Sequence, residues 1–255
     1  MKKALIRKIR NYLEFYRIFS KGIDQNLLAR KINSSHEIKK ARFLQSSVYL
    51  DRGFILADQV GKNGLIKEEF DRHIGNSAYF VVQDHNNAII ATARLIENNK
   101  KTYTQPILHL ANLYPSYSLQ LKKYNPSQVV EASALAKVKG RSSVAVLYLF
   151  REMYQYSLHR RHKVWLMACD VRLYERLKTL FGPAVRKIGR KTAYFGGDVI
   201  PAAIQLDSCI HEILSDINPV NLWLRKRICR FFISGLDEVA LGIVNIDLLR
   251  RKGVL

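Results

Sequence analysis

The most constraining feature of the sequence is a succession of strand, short basic loop, long helix and strand in its middle. Residues 128–138, QVVEASALAKV, have the apolar and β-branched composition of a buried strand. The loop KGRSS follows, and after it come the helical run VAVLYLFREMYQYSLHRR and a second apolar strand, KVWLMACD. This order predicts a βαβ-type unit with its loop at the end of a sheet strand.

Other strands and helices extend this unit on both sides. Residues 78–86 and 87–96 form two predicted strands, joined by a turn at His85, Asn86 and Asn87. Helices are predicted around 41–54 and over 171–181, and a last strand segment over 192–206. We therefore expect an α/β (α+β) domain over residues 41–206. A basic helical arm over 1–40 precedes it and a basic helical extension over 207–255 follows it.

Charge narrows the class of partner. The chain of 255 residues carries 42 Lys and Arg against 21 Asp and Glu, a formal charge of +21, and its 48% hydrophobic content excludes a disordered or fibrous protein. Such a chain attracts nucleic acid, an anionic membrane, an acidic protein or a phosphorylated cofactor. Charge alone does not choose among these.

The first residues predict a basic amphipathic helix. Apolar side chains recur at helical spacing between basic residues, at Leu5, Ile6, Ile9, Leu13 and Tyr16. Two interpretations are open: the helix packs on its own domain with a solvated basic face, or it docks on a membrane or a carrier. Charges interrupt any signal-peptide core, and no run of about 18 uncharged apolar residues occurs. We expect a cytoplasmic protein, with contact to the inner membrane face as an option, and the three cysteines as buried thiols.

The loop of the βαβ unit has the features of an anion site. Backbone amides at a helix start lack partners and attract negative charge. Gly140 allows close approach of a ligand, Lys139 and Arg141 add charge, and Ser142 or Ser143 can cap the helix. A phosphate or pyrophosphate fits this pattern, and an ordinary capped turn fits it too.

Glu131 and Ser133 project from one face of the strand VVEASALAKV. A carboxylate on the working face of a central strand can accept a proton from an attacking amine, directly or through water. The alternative is a strand glutamate that pairs with one of the many basic residues.

Five segments in collinear order, VYLDRGF, FDRHIGNSAYFVV, IIATARLI, VVEASALAKV and YFGGDVIPAAI, carry a family resemblance. They resemble the branch of the GNAT fold that contains acyl-homoserine-lactone synthases and long-chain N-acyl amino acid synthases. The last segment, and the lack of a clear lactone-synthase tryptophan in the early segment, favour the amino acid synthases. The resemblance implies a three-layer GNAT-like fold, whose central mixed sheet is splayed at the acyl-donor site.

The resemblance also assigns roles to residues. Glu131 falls on the strand glutamate that acts as base or water orienter, and Ser133 on the adjacent serine. Arg94 falls on the arginine that anchors the cleft, and Asp71 on the aspartate that organises the acceptor side. The loop from Lys139 to Ser143 is where this fold holds the pyrophosphate of coenzyme A, or the phosphopantetheine phosphate of an acyl carrier protein.

Two positions depart from the family pattern. Ala134 stands where the family has an arginine, and Gln45 stands where it has another, with Arg42 one helical turn earlier as a substitute. Many GNAT enzymes use a tyrosine to protonate the leaving thiolate. Tyr174 lies one turn early for that role, at which Leu177 aligns better, and Tyr194 belongs to the final motif.

The sequence thus predicts direct aminolysis of an acyl thioester, from acyl carrier protein or acyl-CoA, by an amino acid amine. Backbone amides of Ala134, Leu135 and Ala136 bind the oxyanion in this mechanism, which needs neither a metal nor a permanently bound cofactor. Two alternatives stay open. One is a short-chain acetyltransferase using acetyl-CoA, and the other is a basic nucleic-acid-binding protein, although no specific nucleic-acid motif occurs.

Overall fold

A mixed β-sheet organises the chain. The computed structural model describes residues 2–21, 26–98, 102–194, 196–215, 219–244 and 246–255. Phe195 of the final motif and the side chain of Leu5 therefore lie outside the described part. The strands are β1 (Leu28–Ile32), β2 (Ser77–Gln83), β3 (Ile89–Ile96), β4 (Val129–Lys137), β5 (Val164–Asp170), β6 (Val185–Lys187), β7 (Thr192–Tyr194) and β8 (Gly197–Gln205).

The sheet has the order β1-β2-β3-β4-β5-β8-β6, and β7 pairs with β8 outside this path. Among these strands only the β4–β5 pair is parallel, because helix α5 (Val144–His159) crosses over between them. The βαβ unit expected from the sequence is therefore present at the centre of the sheet.

Helices cover both faces of the sheet. They are α1 (Lys2–Ser20), α2 (Ser35–Asp51), α3 (Pro106–Leu110), α4 (Pro115–Leu121), α5 (Val144–His159), α6 (Val171–Phe181), α7 (Leu206–Leu214), α8 (Pro219–Ile233), α9 (Glu238–Ile243) and α10 (Ile246–Arg251). The larger core lies on the α5 face, where α1, α6, α7 and α8 also pack. Helices α2, α3 and α4 pack on the opposite face in two smaller clusters. This gives the predicted three layers.

Local sequence explains the ends of several elements. Asp170 caps α6 by accepting hydrogen bonds from the amides of Arg172 and Leu173. The turn between β2 and β3 has Asn87 at φ 60°, a left-handed conformation that asparagine tolerates well. The predicted strand pair and the predicted helix over 171–181 are confirmed by these boundaries.

Some elements differ from the sequence expectation. Residues 28–32, taken as part of a helical arm, form the edge strand β1, and α2 begins at Ser35 instead of 41. The segment 192–206, taken as one strand, turns at Gly196 and forms the β7–β8 hairpin. The basic extension is helical as expected, and Leu224, Ile228 and Phe232 bury it in the main core.

All three cysteines are free and buried, as the sequence suggested. Among the described residues, no helix is long and apolar enough to cross a bilayer.

Candidate active site

The two parallel strands at the centre of the sheet separate part-way along their length. Strands β4 and β5 pair only over Val129–Glu131 and Val164–Leu166. Beyond these residues β4 continues beside β3 and β5 continues beside β8. The facing edges of both strands are left open, and a cavity of about 540 Å³ lies at this gap. That volume is within the range of small-molecule binding sites.

The cavity passes through the sheet from one helical layer to the other. On the α2 side it is lined by Gln45 and Tyr49, and on the α5 side by Leu147 and Phe150. The cavity therefore has a polar end on the α2 face of the sheet and an apolar end on the α5 face. The gap between β4 and β5 connects the two ends.

A β-bulge lies on the β4 edge of the gap. Thr92 pairs with Ala136 and Arg94 pairs with Ser133, so one residue of β3 faces two residues of β4. Ala134 takes up the extra residue at φ 55°, a left-handed conformation that is uncommon outside glycine. A bulge re-aims the backbone groups of its strand, here beside the cavity that Ala134 and Leu135 line.

Glu131 is a buried carboxylic acid at the polar end of this cavity. It is 2% exposed, and its Oε2 accepts a hydrogen bond of 2.9 Å from the backbone N–H of Ile107, in the first turn of α3. Burial raises the pKa of Glu131 to about 7, against the opposing effects of the Ile107 amide and of Arg94. The structural alternative required an ion pair with a basic residue, and within the described residues Glu131 forms none.

Asp71 and Arg94 form a buried ion pair beside Glu131. Arg94 Nη1 lies 2.7 Å from Asp71 Oδ1 and donates a 3.2 Å hydrogen bond to the hydroxyl of Tyr79. Both members of the pair line the cavity. The two residues that the family resemblance placed on the acceptor side and in the cleft are therefore in contact.

The residues around one departure from the family pattern, Gln45 and Arg42, lie differently relative to the cavity. Gln45 is buried and lines the cavity, whereas Arg42 is not among the lining residues and donates to the carbonyl of Ile66 at 3.3 Å. The expected substitution of Arg42 for the missing arginine is thus not what the structure shows. Arg52, just after α2, lines the cavity instead.

Further polar side chains reach the cavity that sequence reasoning did not single out. Tyr49 and His73 line it, and burial followed by the nearby Arg94 lowers the pKa of His73, which favours a neutral imidazole. A cationic group lies around the cavity as well, formed by Arg52, Arg72, Lys137, Arg172 and Arg176. The sequence indicated such a group only through its large number of Lys and Arg residues.

The two tyrosines considered for thiolate protonation differ in their position relative to the cavity. Tyr194 lines the cavity, and burial and then Glu131 raise its pKa far above the ordinary value, so that it stays protonated. Tyr174 is not a lining residue and packs against the main core, while Leu177, one turn later, lines the cavity. Tyr174 is thus a packing residue.

The far end of the cavity, between α5 and α6, is apolar. Its lining residues there are Val146, Leu147, Phe150, Met153, Leu177 and Leu180. This region lies in the larger core, and Phe15 of α1 lines it too. It can accommodate an aliphatic chain, because it offers dispersion contacts and no polar partner among these side chains.

The KGRSS loop lies at the cavity edge. Ser143 lines the cavity, whereas Lys139, Gly140, Arg141 and Ser142 lie outside the lining. The φ of Gly140 is 81°, and nothing lies within 4 Å of the place where a side chain would begin. In the described part of the chain, the amides of Gly140, Ser142 and Ser143 have no hydrogen-bond partner.

Two of the loop side chains already have partners. Arg141 Nη2 lies 3.2 Å from Asp84 Oδ2. The Ser143 hydroxyl donates a 2.6 Å hydrogen bond to Glu14 of α1, whose carboxylate also accepts two hydrogen bonds from Arg176. A carboxylate therefore already lies near the start of α5, next to a guanidinium.

Two glycines of the family-like motifs meet behind the site. A Cβ at Gly196 would lie 2.4 Å from the carbonyl oxygen of Gly53, and both residues have positive φ. The motifs VYLDRGF and YFGGDVIPAAI, about 140 residues apart, thus depend on the same close backbone contact.

Known proteins provide a comparison for this arrangement. No model of a protein family matches the sequence, and no curated protein matches it. Among solved structures, the chain is similar to FeeM, an N-acyl amino acid synthase from uncultured soil microbes. The TM-score is 0.57 at 14% identity, over 73% of this chain and 94% of FeeM.

Two acyl-homoserine lactone synthases described as CoA-dependent are also similar. BjaI has a TM-score of 0.54 at 14% identity, over 90% of this chain and 100% of its own. MesI has a TM-score of 0.52 at 13% identity, over 82% of this chain and 97% of its own. The chain therefore has the GNAT-like fold of these synthases, and the fold prediction is confirmed.

Proposed function

We propose that this protein is an acyltransferase that moves a long-chain acyl group from a thioester to the amine of an amino acid. The observation that carries the proposal is the gap between β4 and β5. It joins a buried carboxylic acid at one end of a cavity to an apolar compartment at the other. An amide-forming enzyme with a lipid donor requires these two environments on either side of one reacting carbon.

The reaction proposed is direct aminolysis. The neutral amine attacks the thioester carbonyl carbon, a C–N bond forms, the C–S bond breaks, and the thiolate leaves and is protonated. Glu131 accepts the proton that the amine loses, directly or through water. Its pKa near 7 supports this role, because a base works best when its pKa is close to the working pH.

The oxyanion formed during this attack needs hydrogen-bond donors. We propose the backbone amides of Ala134 and Leu135, which line the cavity next to the bulge of β4; Ala136, the third residue expected from the sequence, is not a lining residue and pairs with Thr92 of β3. Fixed backbone dipoles of this kind commonly lower the barrier by about 3 kcal/mol per donor. Ser133 lies beside them on the cavity wall and would help to orient the amine.

The apolar compartment favours a donor that carries a long acyl chain over a donor that carries an acetyl group. A short-chain acetyltransferase has no use for the aliphatic and aromatic lining between α5 and α6. Because each buried methylene contributes about 0.8 kcal/mol, a donor that fills the compartment would bind much more tightly than one that leaves it empty.

The donor's phosphate would bind at the KGRSS loop. Lys139 and Arg141 bring charge to a helix start at which the amides of Gly140, Ser142 and Ser143 are unpaired among the described residues. Both candidate donors, acyl carrier protein and acyl-CoA, carry a phosphate that reaches such a loop. Neither is a permanently bound cofactor.

The acceptor would enter on the α2 side. Asp71 and Arg94 fix that wall of the cavity, and Arg52 and Arg72 offer cations for the amino acid carboxylate. The proposed reaction belongs in the cytoplasm, where acyl carrier protein and acyl-CoA are made.

The test is mass spectrometry of lipid extracts from cells that express the wild-type chain or Glu131→Ala. The proposal expects new N-acyl amino acids with long chains in the first extract and their loss in the second. The acetyltransferase alternative would be favoured if no acylated amine accumulates while the purified protein acetylates a small amine from acetyl-CoA. Glu152→Gln, a partly buried carboxyl on α5 outside the cavity lining, is the control for general damage.

A further inference from the structure

An apolar stripe on α1 faces solvent. Ile6, Ile9, Leu13 and Tyr16 follow one another at intervals of three and four residues and are 46% to 65% exposed. The stripe is about 15 Å long at the ordinary helical rise. At one end of the stripe, Tyr16 contacts Trp223 of α8, with ring centroids 4.9 Å apart, and stacks on Tyr12 of its own helix at 6.5 Å.

The opposite face of the same helix is fixed to the protein. Asn11, Phe15 and Phe19 are buried at intervals of four residues. The guanidinium of Arg176 lies 5.5 Å from the Phe15 ring centroid and donates hydrogen bonds to the Glu14 carboxylate. These contacts fix the rotation of the helix about its axis, so the stripe cannot turn inward without breaking them.

The sequence allowed a helix that packs through this stripe and exposes a basic face, but the structure shows another arrangement. The stripe points outward and Phe15 and Phe19 provide the packing face, because α1 reaches the main core beside α6 and α8. An exposed apolar face on a helix that is already packed calls for a second partner.

Basic and aromatic side chains flank the stripe. Arg10 and Arg17 are exposed, and each lies one helical turn from Leu13. On the neighbouring helix, Arg227 lies 5.6 Å from the ring centroid of Trp223. Aliphatic side chains bordered by cations, with tyrosine and tryptophan rings at the edge, are the composition of helices that lie in a membrane interface.

We infer that the outer face of α1, continued by Trp223 and Arg227 of α8, docks on the surface of an anionic lipid bilayer. The stripe would enter the boundary between headgroups and acyl chains, and the arginines would contact lipid phosphates. The net charge of +21 complements such a surface over the whole molecule.

Two other occupants fit less well. A dimer of this chain through the stripe would need about 1,000 Å² of buried surface, which four side chains on one helix do not supply. An acidic carrier protein would meet the arginines but would leave the apolar stripe facing a charged surface. The bilayer satisfies both kinds of side chain.

The position of α1 links this surface to the cavity. Phe15, on the inner face of the helix, lines the apolar compartment. On the proposed function, a lipid product would thus be released within one helix diameter of the bilayer, about 10 Å.

The experiment is vesicle flotation of the purified full chain, without any substrate. The wild type should bind phosphatidylcholine vesicles that contain phosphatidylglycerol and bind pure phosphatidylcholine vesicles much less. Ile9→Ser with Leu13→Ser should lower the partition coefficient about tenfold or more. Arg10→Gln with Arg17→Gln should lower it roughly thirtyfold at low salt.

Matched control variants distinguish vesicle binding through the stripe from nonspecific vesicle binding. Leu119→Ser removes an equally exposed leucine on α4, and Lys39→Gln with Lys40→Gln removes two exposed charges on α2. Equal losses in the controls and the α1 variants would overturn the proposal. The proposal would also be overturned if the stripe variant bound vesicles as well as the wild type does, whatever happens to the variant's oligomeric state or its binding to acyl carrier protein. Melting temperatures verify folding. Because no turnover is measured, the outcome does not depend on the acyltransferase proposal.

Discussion

Glu131 is held in a position where being charged is costly. Its side chain is surrounded by the sheet and α3, and the amide of Ile107 is its hydrogen-bond donor among the described residues. Burial favours the protonated acid, whereas Arg94 and the amide favour the carboxylate. The balance keeps the group close to the midpoint of its titration at neutral pH, where it can both accept and release a proton.

Replacing Glu131 by Gln should lower kcat by roughly 10² to 10⁴ and leave the shape nearly unchanged, because the amide oxygen can still accept from Ile107. The same substitution in Glu152, another carboxyl whose pKa burial raises, should leave kcat near the wild-type value. Turnover and melting temperature measured on one preparation separate the outcomes. A lowered melting temperature with near-wild-type kcat would show that Glu131 only anchors the start of α3.

The pKa of Glu131 also predicts opposite pH trends for activity and stability. The folded protein binds this proton more tightly than the unfolded chain, so the stabilisation is full below the ordinary pKa of 4.5 and is lost as the pH rises through about 7. The loss is on the order of 3 kcal/mol. Over the same range kcat should rise as the base ionises.

The Gln variant is the reference for both trends, because it cannot ionise at this position. The acceptor amine titrates identically with either enzyme, so the ratio of the two kcat profiles isolates the group in the protein. Parallel profiles of stability and of kcat in the two proteins would contradict the pKa assignment.

Some of the residues that line the cavity were predictable from the sequence, and others were not, for a physical reason. Glu131, Ser133, Asp71 and Arg94 lie in segments whose pattern resembles a known family, and the structure brings all four to one cavity. His73 lies in the loop before β2, and the cationic group comes from β4, from α6 and from the segments next to α2 and β2. Their side chains meet only after the chain folds, and no periodicity marks them.

At the scale of elements, the site depends on where two strands stop pairing. The strands themselves were predictable, because buried apolar runs with a crossover helix imply a parallel pair. The bulge at Ala134 was not, since its cause is the register between β3 and β4. The three-residue strand β6 and edge strand β1 were also missed, because short segments with basic residues carry little period-two signal.

At this scale, the loop between β4 and α5 gives a prediction about donor binding. Lys139→Ala with Arg141→Ala should weaken donor binding about a hundredfold, on the order of 3 kcal/mol for two charge-assisted contacts. Lys122→Ala with Lys123→Ala, at the end of α4, removes the same charge away from the cavity and should change donor KM little. An unchanged donor KM in the loop variant would remove the loop from the donor site.

The single variants refine this test because Arg141 has a structural partner. Its guanidinium contacts the buried carboxylate of Asp84, which also accepts amide hydrogen bonds in the β2–β3 turn. Arg141→Ala should therefore lower the melting temperature as well as donor affinity. Lys139→Ala should affect affinity alone.

At the scale of the whole molecule, the excess of positive charge is the property that most affects how substrates arrive. The net charge of +21 is spread along the sequence, and among the described residues six Lys and Arg side chains, Arg94 included, line the cavity. A low-dielectric cleft with cationic walls raises the local concentration of anions. Donors of different charge should consequently respond differently to salt.

We expect kcat/KM to fall steeply with ionic strength for acyl carrier protein, a small acidic partner, because electrostatic steering governs its encounter rate. Between about 0.05 and 0.5 M salt the screening length shortens from roughly 14 to 4 Å, and a loss of about tenfold or more should follow. Acyl-CoA, with its phosphates, should show a smaller decline. An uncharged acyl thioester of N-acetylcysteamine should show almost none, since it has no charge to steer.

The ranking of the three slopes is the diagnostic, because each donor delivers the same acyl chain to the same compartment. Removing two charges at the cavity, as in Arg52→Gln with Arg172→Gln, should flatten the carrier-protein slope more than Lys39→Gln with Lys40→Gln, which lie on the surface of α2. Equal slopes for all three donors would mean that salt acts on the enzyme itself. A steep slope for acyl-CoA with a flat slope for the carrier protein would identify coenzyme A thioesters as the donors to which this cationic cleft is adapted.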